Sequence, residues 1–110
     1  MIANGHPVTV VEYHGTDSFN NSFADARKSY YGITGNPTAV FDGGNKVIGG
    51  ISGGNMYSNY IGPVTSAAAV PSSFELDIEG TGNLIDYDIT ATIRMVDPYS
   101  GNLVFHLAVT

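Results

Sequence analysis

The stretch Tyr31-Gly32-Ile33-Thr34-Gly35-Asn36-Pro37-Thr38-Ala39-Val40-Phe41, with Asp42-Gly43-Gly44-Asn45 and Lys46 to Ile51 after it, decides how the chain is read. Gly32 can take the positive φ that closes a helix, and Pro37 fixes its own φ and lacks an amide hydrogen, so the segment between them is a loop. Thr38 to Asp42 and Lys46 to Ile51 then read as two short strands about a glycine-rich turn. This is a hairpin.

Working outward, the residues before Gly32 supply a helix and the residues after Ile51 a second one. Phe19, Phe23, Ala26 and Tyr30 recur at helical spacing over about 19–31, with Asp17 or Ser18 placed to accept a hydrogen bond from a free amide at its start. Before it, Val8-Thr9-Val10-Val11-Glu12-Tyr13 is β-branched and aromatic and predicts a largely buried strand ended by His14-Gly15. Met56, Tyr60, Val64 and Ala68 predict the later helix, which Pro63 should bend or split.

Composition bounds what such a chain can do. The 110 residues include no cysteine, which excludes a disulfide, a thiolate nucleophile and sulfur-ligated metal sites. A formal net charge of -6 repels phosphate backbones and makes nucleic acid an improbable partner. No run approaches the roughly 18 apolar residues of a membrane helix, and Met1 to Gly5 lacks the basic and apolar regions of a signal peptide. Up to residue 69, four acids face three bases; from residue 70 onward, six acids face Arg94 alone. That shift falls at Pro71-Ser72-Ser73 and sets a module boundary near Val70, dividing the chain into modules 1–70 and 71–110.

The second module alternates. Phe74, Leu76 and Ile78 share one face and Glu75, Asp77 and Glu79 the other; after a turn at Gly80 to Asn83, Ile85, Tyr87, Ile89, Ala91, Ile93 and Met95 point inward. A further turn at Asp97 to Asn102 leads to Leu103, Phe105, Leu107 and Val109 as a third inward row. The expectation is a three-stranded antiparallel meander with one apolar face, which needs a cover.

The elements Tyr31-Gly32-Ile33, Gly35-Asn36-Pro37-Thr38 and Phe41, Gly43-Gly44, Val47 and Gly49-Gly50, in that order, resemble the second half of a thioredoxin fold over about Val8 to Val70. The resemblance implies an α/β (α+β) class, a cis peptide bond before Pro37, and a loop at Asn36, Pro37 and Thr38 that takes up extended peptide. It also exposes a departure. Thioredoxins carry Cys-x-x-Cys after an earlier central strand, and these residues hold neither that strand and helix nor any cysteine. The meander in turn resembles the opening of a β-sandwich that follows a thioredoxin-like domain in some secreted or outer-membrane bacterial proteins.

Other chemistry is thin. His14 beside Glu12 and Asp17 could be a general base or metal ligand, or simply a polar residue capping the strand. Glu75, Asp77 and Glu79 opposite Asp86 and Asp88 could gather oxygen ligands for calcium, although alternating carboxylates on a solvated sheet face are commoner. The glycine pairs lack the lysine-serine context of a phosphate loop, and Ser18, Ser22 and Ser58 lack a nucleophile setting. Tyr30 and Tyr60 read as core, and Asn20-Asn21-Ser22 as a chance glycosylation match.

The expected protein is therefore a non-catalytic binding or assembly module of a secreted or bacterial cell-envelope protein, with no cofactor and no metal. Its alternative is a piece of a thioredoxin-like disulfide oxidoreductase whose Cys-x-x-Cys lies upstream of Met1. A vacant sheet centre implies completion by a strand from another copy or an upstream segment, with Leu103 to Thr110 the best internal donor because it has no proline, glycine or formal charge.

Overall fold

A computed structural model describes residues 5–107, which fall into two units dividing between Ala69 and Val70. The described residues mix helices with antiparallel strands in two small, two-stranded sheets.

In the first unit, α1 covers Ser22–Tyr30. Asn21, in extended backbone, caps it: its Oδ1 accepts hydrogen bonds from the amides of Phe23 and Ala24, both at 3.0 Å. The helix therefore starts three residues later than the apolar spacing predicts. Asp17 Oδ1 accepts from Phe19 N instead, in a turn that precedes the helix. At the other end Gly32 stands at φ +57°, donating to Ser29 O while Ile33 donates to Lys28 O, a Schellman closure that relieves two carbonyls of the last turn.

Strand β1 (Thr38–Phe41) pairs with β2 (Asn45–Ile48), and Asp42 and Gly43 both take the positive φ that a type I′ turn requires. Helix α2 (Tyr57–Ala68) lies against both strands, with the Phe41 and Tyr60 rings edge to face at 5.3 Å and Val64 buried. Pro63 does not split it. The half-buried face runs through Met56, Tyr60 and Ala67, with Ala68 exposed.

Two expectations for this unit are overturned. Residues 8–13 form no strand, and Val10, Val11 and Tyr13 are exposed, because a β-branched run becomes a strand only where another strand offers it partners. The face of α1 expected to be core is also exposed: Phe19, Phe23, Ala26 and Tyr30 point to solvent, while Ala24 is buried. Among the described residues α1 packs on no other helix or strand.

The second unit is a hairpin of β3 (Phe74–Gly82) and β4 (Tyr87–Met95). Its register segregates the faces as the alternation predicts. Phe74↔Met95, Leu76↔Ile93 and Ile78↔Ala91 share one side; Glu75↔Arg94, Asp77↔Thr92 and Glu79↔Thr90 share the other. The turn differs from expectation, occupying residues 83–86: Asn83 Oδ1 accepts from the amides of Ile85 and Asp86, and Asn83 N donates to Asp86 O. Ile85 consequently sits at the exposed tip and not on the inward row. The third strand is not formed over residues 103–107, and Val109 lies outside the described residues. Among the described residues of this unit no third strand joins the hairpin.

Candidate functional site

The Pro37 loop is built from its neighbours' smallness. The Asn36–Pro37 peptide bond is cis, the isomer that the resemblance implies. Thr38 Oγ1 donates to Gly35 O at 2.5 Å and so ties the loop across its own base. A Cβ at Gly15 would lie 3.1 Å from Asn36 Nδ2, so glycine there lets that turn come close to the loop, while one at Gly50 would stand in ordinary contact with Pro37 Cγ at 3.5 Å. Asn36 and Pro37 remain exposed and Thr38 is half-buried.

The turn holding Gly15 is itself pinned. Lys28 Nζ donates to Gly15 O at 3.2 Å, and His14 Nδ1 pairs with Asp17 Oδ2 at 2.7 Å while the His14 ring rests 5.3 Å from that of Phe19. The hydrogen bond to Asp17, with the charges of Asp17 and Glu12 adding to it, raises the His14 pKa above its ordinary value of 6.5. Asp17 is correspondingly held below 3.8, chiefly by His14 and then by the Phe19 amide. Of the candidates read from sequence, the structure brings His14 to Asp17, and Asn36 to the glycine beside that pair. His6 lies elsewhere, with its Nε2 3.1 Å from the Tyr57 hydroxyl.

The calcium arrangement is not formed. The register sets Arg94, Thr92 and Thr90 opposite Glu75, Asp77 and Glu79; Arg94 Nη1 meets Glu75 Oε2 at 2.7 Å, and Asp86 belongs to the turn. No three acids or histidines converge as a metal site among the described residues. Tyr30 is likewise exposed where a core position was expected, whereas Tyr60 meets Phe41.

The backbone of β1 carries the remaining information. Bonded and non-bonded pairs alternate along an antiparallel ladder. Gly49 N donates to Pro37 O at 2.7 Å, which makes Thr38↔Ile48 a non-bonded pair. Ala39↔Val47 and Phe41↔Asn45 therefore hold the ladder, and the N–H and C=O of Thr38 and Val40 turn away from β2. Among the described residues no second strand lies beside β1. Sequence reading placed the loop but missed Gly15 and Lys28 as its supports; only their contacts distinguish them from other glycines and lysines. No protein-family model matches the chain, and comparison with curated proteins and with solved structures returned no match.

Proposed function

We propose that the chain is a non-catalytic binding and assembly module of a secreted or bacterial cell-envelope protein, with a partial thioredoxin-like first unit. In this reading the Asn36, Pro37 and Thr38 loop and the adjoining β1 edge take up an extended segment. One observation carries it: Thr38 and Val40 present two donors and two acceptors on the side of β1 opposite β2, next to an exposed proline loop. Such an edge is a template for strand addition, in which main-chain bonds supply affinity and alternate side chains specificity. The order of α1, loop, β1, β2 and α2 supports the thioredoxin-like reading. The segment best suited to add is another copy's 103–110, which carries no formal charge to desolvate.

The test is an amide NMR titration with a synthetic peptide of residues 103–110. Shifts and slowed exchange at Thr38 and Val40, with little change at Ala39 and Phe41, are expected; equal or absent responses would remove the proposal. In parallel, an insulin-reduction assay should show no turnover, and measurable turnover would overturn the non-catalytic reading.

A further inference from the structure

The β3–β4 ladder has a phase of its own, and that phase decides which groups its outer edges present. Val96 N donates to Ser73 O at 2.8 Å and Asn83 N to Asp86 O at 2.9 Å, at the two ends of the register that pairs Phe74 with Met95 and Gly82 with Tyr87. Bonded pairs alternate with non-bonded ones, so Glu75↔Arg94, Asp77↔Thr92, Glu79↔Thr90 and Thr81↔Asp88 hold the hairpin. On β4 the N–H and C=O of Tyr87, Ile89, Ala91, Ile93 and Met95 therefore turn away from β3. Among the described residues no strand takes them.

That edge is complementary to its own reverse. β4 runs for nine residues, Tyr87–Met95, about a midpoint at Ala91. Laid antiparallel on a second copy with Ala91 against Ala91, Ile89 meets Ile93 and Tyr87 meets Met95, and every outward group finds a partner, about ten main-chain hydrogen bonds in all. The pairs between them are non-bonded, with Cα atoms about 4.5 Å apart and side chains at their closest. They set Thr90 opposite Thr92 and Asp88 opposite Arg94, each twice. Arg94 Nη1 already meets Glu75 Oε2 at 2.7 Å, but a guanidinium has five N–H donors, so it can hold a second carboxylate. Within its own hairpin Asp88 has Thr81, not a cation, across from it.

We infer that the β4 edge pairs with the β4 edge of a second copy, joining two hairpins into a four-stranded antiparallel sheet about a two-fold axis at Ala91. An isologous contact needs a surface that matches itself after reversal, and β4 meets that need in charge as well as in length. The β3 edge does not. Reversed about its own midpoint, Ile78, β3 sets Asp77 against Glu79 twice and faces Leu76 with Gly80. Like charges directly opposite destabilise a strand pair, whereas opposite charges and paired threonines strengthen one. Any extended strand could satisfy the outward main chain; a second β4 also brings a cation to Asp88 and an anion to Arg94.

Sedimentation of the full chain over a range of concentrations, with circular dichroism to verify folding, tests the inference. A reversible monomer-dimer equilibrium is expected. Asp88→Arg and Arg94→Asp should each weaken it about tenfold or more, because either change creates two like-charged pairs per dimer. An equal mixture of the two variants should recover it, since each carries at the opposed position the charge that the other needs. A mixture that fails to recover while both variants stay folded would overturn the inference, as would a wild-type monomer at millimolar concentration. Hydrogen exchange on the wild type needs no variant: the amides of Ile89, Ala91 and Ile93 should become protected as concentration rises, and those of Leu76 and Ile78 should not. Protection of the first three at every concentration would mean that the chain's own residues 103–110 lie along β4, and would overturn the inference. Association lost in Val40→Pro but unmoved by Asp88→Arg would overturn it too, and would leave the β1-edge proposal standing.

Discussion

Gly49 donates its amide hydrogen to the carbonyl of Pro37 at 2.7 Å, and this bond sets the phase of the whole β1–β2 ladder. Because pairing alternates, it assigns Ala39 and Phe41 to the partner strand and Thr38 and Val40 to the open side. A proline scan reads that phase directly. Ala39→Pro deletes a donor from the ladder and leaves an acceptor on β2 unmet, a loss of about 1–3 kcal/mol. Val40→Pro removes a donor that faces outward and should cost clearly less. Urea denaturation of both variants checks the order, and a reversed order would mean that the edge is assigned to the wrong residues.

The His14–Asp17 pair should confine its stabilising effect to a window of pH. His14 has its pKa raised in the fold, so its contribution is complete below the unfolded value of 6.5 and disappears as pH rises through the folded one. Asp17 has its pKa lowered, so its contribution is complete above 3.8 and disappears as pH falls through the folded one. The melting temperature should therefore fall away on both flanks of the range between them. Replacing Asp17 with Asn should return the His14 titration, followed by NMR, toward 6.5; an unmoved midpoint would show that Asp17 is not the cause.

Asn21 is the start signal of α1, and its removal should be felt without any loss of packing. Asn21→Ala is expected to cost about 1 kcal/mol, Asn21→Gly only a few tenths, and Asn21→Asp nearly nothing. Thermal melts followed at 222 nm distinguish the three. Equal costs for alanine and aspartate would mean that the side-chain cap is not formed.

The β1–β2 turn places Asp42 at φ +48° and Gly43 at φ +71°. Gly43→Ala puts a Cβ into the left-handed region and should destabilise the hairpin by about 1–2 kcal/mol, while Asp42→Gly should be neutral or mildly stabilising. Nothing lies within 4 Å of a Cβ at Gly43, so backbone conformation alone is being measured.

What the sequence determined by itself is what a few consecutive residues settle among themselves. Gly32 closes α1 because its conformational freedom answers two carbonyls in the preceding turn. Asp42-Gly43 folds the hairpin because both positions accept positive φ. The alternation over Phe74 to Glu79 and again over Asp86 to Met95 separates an acidic face from an apolar one wherever the strands pair in register. Tertiary structure decided the rest, for reasons of partnership. Residues 8–13 have strand composition yet form no strand, since a strand exists only beside another, and residues 103–107 likewise form none. The alternation also continues smoothly into Ile85, and only the two hydrogen bonds of Asn83 reveal that the chain has already turned there. The site follows the same division: Pro37 is legible as a loop, but the edge that β1 turns away from β2 comes from the ladder's phase, and its support from Gly15 and Lys28 is a matter of contacts between residues far apart in the chain.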